Sequence, residues 1–190
     1  MKALVTGFEP FGGDSVNASL EAVRRLPPKA GVLEIETAVL PTSYARALPA
    51  LEAAIARARP QIVLCVGQAG ERAALCVERV AVNLQGAETP DNDGARPVDT
   101  PVIADGPVAY LATLPTRAAV EGLRAQALPG QLSMSAGSFV CNHVFYGLMH
   151  LAATGDHRFR AGFLHVPRAS SMAPEDVARG IVIVLQAAAA

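Results

Sequence analysis

The stretch Ser133–His150, SMSAGSFVCNHVFYGLMH, reads as a polar, glycine-containing turn feeding an apolar helix. From Cys141 onward, Val144, Phe145, Leu148, Leu151 and Ala152 recur at helical spacing. Cys141 falls three and four positions before that stripe and so points inward from the first helical turn. There the unpaired backbone N–H groups and the positive end of the helix dipole favour a thiolate. Two readings stand at this point: a nucleophile, or a buried structural thiol of the kind free cysteines commonly are.

Working outward, the same alternation of short apolar strand, loop and helix recurs. Downstream, Ala161–Val166 predicts a strand ended by Pro167, and Pro174–Gln186 a helix. Immediately upstream, Leu132–Ser135 predicts a brief strand, and Pro115 and Thr116 open a helix running to about Ala127. Val77–Leu84 predicts one strand, followed by a polar loop over Glu88–Pro101. Ile62–Val66 is a wholly apolar strand ending in Gly67-Gln68-Ala69-Gly70. A helix from Pro41-Thr42-Ser43 to about Arg59 must kink at Pro49 or hold it in the first turn. Val32–Leu40 and Ala3–Thr6 are strands, and Asn17 is placed to cap a helix over Ala18–Leu26. Strands alternating with helices predict an α/β sheet covered on both faces, with ligands bound beyond strand ends.

The 190 residues predict one domain over 1–190. A net charge of −1, with 16 basic residues scattered rather than clustered, excludes an electrostatic case for nucleic acid or an anionic membrane surface. The 3 cysteines, at 65, 76 and 141, have no disulfide-framework or metal-knuckle spacing, which predicts a reducing compartment and no metal. The N-terminus MKALVTGFEP lacks a signal-peptide core, and no apolar run is long enough to span a bilayer. A cytoplasmic protein is expected. The Gly12-Gly13 loop has neither a dinucleotide fingerprint nor a following G-K-[ST], so it makes no case for a nucleotide site.

A thiol nucleophile needs a base and a group that orients the base. At about 100° per residue, His143 and His150 both lie well round the helix from Cys141, and each is expected to be partly exposed or hydrogen-bonded. His157, in a polar turn, is expected to face solvent. His165 instead ends an apolar strand, two residues after Phe163 on the same face. Period-two alternation over Val77–Leu84 sets Glu78 with Val80, Val82 and Leu84, a carboxylate on a core face. Such a group needs a cation or hydrogen-bond donors; an arginine would serve as well as a histidine.

Five segments resemble the pyroglutamyl-peptidase I (pyrrolidone-carboxylate peptidase) family: GFEPFGG (7–13), GQAG…VERVAVN (67–83), PDNDG (90–94), SAGSFVCNHVFY (135–146) and FLHVP (163–167). The resemblance implies a three-layer sandwich with a twisted, mixed, mostly parallel sheet. It implies a cysteine exopeptidase acting on peptides with N-terminal pyroglutamate, without metal or cofactor, as a homotetramer or homodimer. It makes Cys141 the nucleophile, His165 the base and acid, and Glu78 the group orienting the histidine. It puts Phe8, Phe11, Phe139 and Val140 around the lactam, with Asn17 and Gln68 shaping the pocket. Three positions depart from the family pattern: Cys76 replaces a usual Ser or Thr, Glu88 replaces a usual arginine, and the loop after Pro167 is shorter. A cysteine amidase of different acyl specificity and a non-catalytic binding protein are the competing expectations.

Overall fold

The computed structural model describes all residues, 1–190. The elements in chain order are β1 (Lys2–Phe8), α1 (Ala18–Val23), β2 (Lys29–Ala30), β3 (Leu33–Leu40), α2 (Ala47–Ala58), β4 (Ile62–Gln68) and β5 (Leu75–Glu78). They continue with β6 (Val80–Val82), β7 (Ala109–Leu111), α3 (Thr116–Ala125), β8 (Gly130–Ser133), α4 (Val140–Thr154), β9 (Arg160–Val166) and α5 (Pro174–Ala189). Seven strands form one sheet in the order β2-β3-β1-β4-β9-β5-β8, and β6 with β7 forms a separate two-stranded ribbon. The β3, β1, β4 and β9 strands are parallel; β5 runs antiparallel to β9 and parallel to β8.

The central strands β4 and β9 are buried on both faces, which is why they read as unbroken apolar runs rather than alternating ones. One face packs on α1, α3 and α5 through Val5, Leu64, Val120, Leu164, Ile181 and Leu185. The other packs on α2 and α4 through Leu4, Leu51, Val63, Phe145, Leu148 and Phe163. This is the expected mixed sheet between two helical layers. No helix is long and apolar enough to cross a membrane.

Four expectations are corrected. The predicted strand Val77–Leu84 breaks at Arg79 into β5 and β6, which belong to different sheets. At the break, the Arg79 N–H donates to the Ser133 carbonyl and the Arg79 carbonyl accepts from Ala112. Glu78 is therefore not aligned with Val80, Val82 and Leu84; its own face carries Cys76, and its cross-strand partner is Phe163. It is buried all the same, fully so.

The helix expected from Pro41 begins only at Ala47. Thr42 and Ser43 are held out of it: the Thr42 hydroxyl donates to the Glu9 carbonyl and the Ser43 hydroxyl to Asp93. Pro49 consequently sits in the first turn, where its missing N–H costs nothing.

His143 is not exposed. It is 6% accessible, neither ring nitrogen has a protein partner, and the ring stands edge-on to Tyr44 at 5.4 Å. Likewise His157 is half-buried rather than solvent-facing, with Nε2 2.7 Å from the Pro60 carbonyl. His150 behaves as expected, bonded to the Tyr110 hydroxyl at 2.9 Å.

Burial pushes the His143 imidazole down from its usual value to about 4, against a smaller opposing effect of the Tyr44 backbone. In the unfolded chain it titrates near ~6.5. The unfolded state therefore takes up the proton first, and the stability present above that pH is lost as the pH falls toward 4. His143→Leu should remove this sensitivity. In urea unfolding, the wild type should lose about 2 kcal/mol relative to the variant between pH 7 and 4.5. Parallel pH profiles for the two proteins would contradict the assignment.

Candidate active site

The site lies where β4, β9 and the start of α4 meet. Cys141 is the second residue of α4, and no side chain caps that helix start: Phe139, at the cap position, has none to offer. The turn before it depends on Gly137, whose φ of +75° suits glycine. The thiol sits against Gly67, the end of β4. A Cβ there would lie 2.8 Å from Cys141 Sγ and 2.8 Å from the Phe163 ring, so only a glycine leaves the space. Gly67 is also the register partner of His165 across the β4–β9 pair.

His165 is buried, and its Nδ1 lies 2.8 Å from Glu78 Oε1. The contact follows from register: β5 sets Cys76 opposite His165 and Glu78 opposite Phe163, so carboxylate and imidazole are diagonal neighbours on one face. The Phe163 ring packs against the imidazole at 4.9 Å between centroids.

Cys141 and His165 share a cavity of about 130 Å³ with Phe8, Phe11, Asn17, Thr42, Gln68, Ala136, Phe139 and Val140. The structure thus gathers Cys141, His165 and all six residues expected to bind substrate, with Glu78 directly behind the imidazole. The aromatic wall is continuous: Phe11 stacks on Phe139 at 5.9 Å, and Phe139 meets Tyr44 edge-on at 5.7 Å.

Asn17 does two jobs, of which its sequence position suggests the first, the helix cap. Its Oδ1 caps α1 through the Ser19 N–H at 3.0 Å, and its Nδ2 donates to the Glu9 carbonyl at 3.1 Å, tying down the Phe8–Phe11 loop. Gln68 Oε1 accepts the Ala18 N–H at 2.8 Å, which fixes the orientation of the amide and leaves its two N–H donors for a ligand.

Thr42 and Ala136 also line the cavity, and sequence reasoning missed both. The sequence pattern predicts a helix start at Thr42, and nothing local marks its tertiary bond to Glu9. Glu88 is exposed and is absent from the lining.

The helix start favours a thiolate, and burial works in the opposite direction: it pushes the Cys141 thiol up to about 12, with Glu78 and Cys65 adding and Arg72 opposing. The residue itself is only partly enclosed, since it lines the cavity.

On this mixed α/β sheet a thiol at an uncapped helix start shares a cavity with an imidazole that is held by a buried carboxylate, the set of groups that cysteine hydrolase chemistry requires. No ligand set for a metal ion is present. A family model described as pyroglutamyl peptidase matches residues 1–187. A pyrrolidone-carboxylate peptidase of Streptomyces coelicolor is 45% identical over 199 residues, covering 99% of this chain and 92% of its own. One from Streptococcus pneumoniae serotype 4 is 43% identical over 197 residues, with coverages of 98% and 92%. The crystal structure of pyroglutamyl peptidase I from Bacillus amyloliquefaciens superposes with a TM-score of 0.95 at 38% identity, covering 99% of this chain and 96% of that one. The chain belongs to the pyroglutamyl peptidase family of cysteine hydrolases.

Proposed function

We propose that this protein hydrolyses the amide bond after an N-terminal pyroglutamyl residue, with Cys141 as nucleophile, His165 as base and acid, and Glu78 orienting the imidazole. The observation that carries the reading is the cavity. At about 130 Å³ it is a fraction of the roughly 300–1,000 Å³ of drug-sized pockets and suits one small ring. No carboxylate is among its lining residues. A free amino terminus would enter without a counter-ion, whereas a lactam carries no charge to desolvate.

The chemistry is acyl transfer. His165 takes the Cys141 proton as sulfur attacks the pyroglutamyl carbonyl, and the uncapped N–H groups at the start of α4 receive the oxyanion. The imidazolium, stabilised by Glu78, protonates the leaving amine. The neutral imidazole then activates the water that releases pyroglutamate. None of these steps calls on a metal or cofactor. The same reading carries a cytoplasmic, homodimeric or homotetrameric enzyme, on the strength of the family resemblance.

The test is release of aminocoumarin from a pyroglutamyl-coumarin amide by the reduced protein. Turnover is expected, with none on the glutamyl and prolyl amides. Turnover of either of those in its place would point to an amidase of different acyl specificity. No turnover of any amide would leave a binding protein.

A further inference from the structure

Arg72, in the loop between β4 and β5, was not marked by any sequence argument. Its Nη1 lies 3.1 Å from Glu78 Oε1, the oxygen that also holds His165 Nδ1. Its Nη2 donates to the Ser135 carbonyl at 2.8 Å, in the turn that delivers Cys141. Glu78 is fully buried and its second oxygen, Oε2, has no protein partner. Every polar contact of this carboxylate thus falls on one oxygen, which has a hydrogen bond with the imidazole and an ion pair with the guanidinium.

From this juxtaposition we propose that Arg72 is a positioning residue, which holds Glu78 in the rotamer that faces His165, shares with the imidazole the one carboxylate oxygen that both contact, and ties that pair to the nucleophile turn. The inference rests on the catalytic roles proposed above. Three physical consequences follow. A guanidinium paired with a buried carboxylate offsets part of its desolvation cost, which the carboxylate alone would carry in full. A carboxylate oxygen shared with an arginine has less of its charge left for a neighbouring imidazolium. The planar fork of arginine reaches Glu78 and Ser135 together, which the single ammonium of lysine cannot do in the same geometry. Arg72 is itself half-buried, so its charge is only partly screened by solvent.

The experiment reads the His165 titration directly, by histidine-imidazole NMR assigned by difference against His165→Gln, and so does not depend on turnover. Arg72→Met should raise the His165 midpoint by about one pH unit, because the Glu78 charge is then unshared. In the Glu78→Gln background the same substitution should move it by less than about 0.3 unit. Arg72→Lys should restore the wild-type midpoint. In kinetics, the acid limb of kcat/KM for Arg72→Met should move up by the same unit, a loss of about tenfold below the limb that recovers at high pH. An unmoved His165 midpoint in Arg72→Met would overturn the inference. So would an equal shift with and without Glu78, since that would make Arg72 act through the fold alone. If the wild type turns over no pyroglutamyl amide, the proposed function fails while the NMR arm still decides the role of Arg72.

Discussion

Cys141→Ser should lower kcat/KM on a pyroglutamyl amide by at least about 10⁴-fold while the fold stays intact. The reason is chemical rather than steric. Serine is slightly smaller than cysteine, so the space against Gly67 and Phe163 is kept. Its hydroxyl is a far weaker acid than a thiol, however, and His165 would have to remove a proton it cannot hold. The thiol is already costly to ionise, because burial pushes it up to about 12; the serine oxygen in the same apolar surroundings is worse. Thermal unfolding should differ by no more than about 1 kcal/mol. The decisive comparison is turnover and melting on the same preparation. Residual activity above about 1% of wild type would mean that another group supplies the nucleophile.

Gly67→Ala should damage both activity and stability without removing any functional group. Gly67 does not have a positive φ, so alanine fits its backbone. The conflict is one of space: the new methyl would lie 2.8 Å from Cys141 Sγ and 2.8 Å from the Phe163 ring, well inside contact distance. The cheapest relief is rotation of the thiol away from the cavity or a shift of α4 off the sheet. A displacement of about an ångström costs on the order of 100-fold in rate, and overpacking of this kind costs about 1–3 kcal/mol. Because Gly67 pairs with His165 in register, a strand shift would disturb the base as well. Steady-state kinetics and urea unfolding check the two parts separately. An enzyme with wild-type kcat/KM would show that the thiol has room to move and that the tight fit against β4 is not needed.

Much of this architecture was readable from local pattern. Ile62–Val66 and Ala161–Val166 are uniformly apolar, which is what strands buried on both faces require, and they proved to be the two central strands of the sheet. Asn17 before Ala18 announced its cap, because capping is settled within two residues of chain. The Val77–Leu84 segment misled because alternation continues through Arg79, and only the hydrogen bonds of Arg79 to Ser133 and Ala112 turn the chain into a second sheet. His143 misled in a different way. Helical angle separates it from Cys141, but which side of a helix meets solvent depends on what packs there, and Tyr44 from a distant loop covers it.

The sequence by itself determined the family and the candidates: a cysteine at a helix start, a histidine at the end of an apolar strand, an acidic residue within a strand, and flanking segments that resemble one family. Spacing and residue type mark each candidate, and the resemblance, rather than strand parity, ties the three together. Tertiary structure alone decided the surroundings of the thiol and the company of the carboxylate. Burial pushes the Cys141 thiol up, opposite in direction to the helix start, and desolvation depends on every element that closes over the sulfur. Glu78 meets His165 because β5 runs antiparallel to β9 in one register, and it meets Arg72 because a loop folds back across the strand end. Neither register nor loop path is written in any local stretch, since both are set by contacts between segments far apart in the chain.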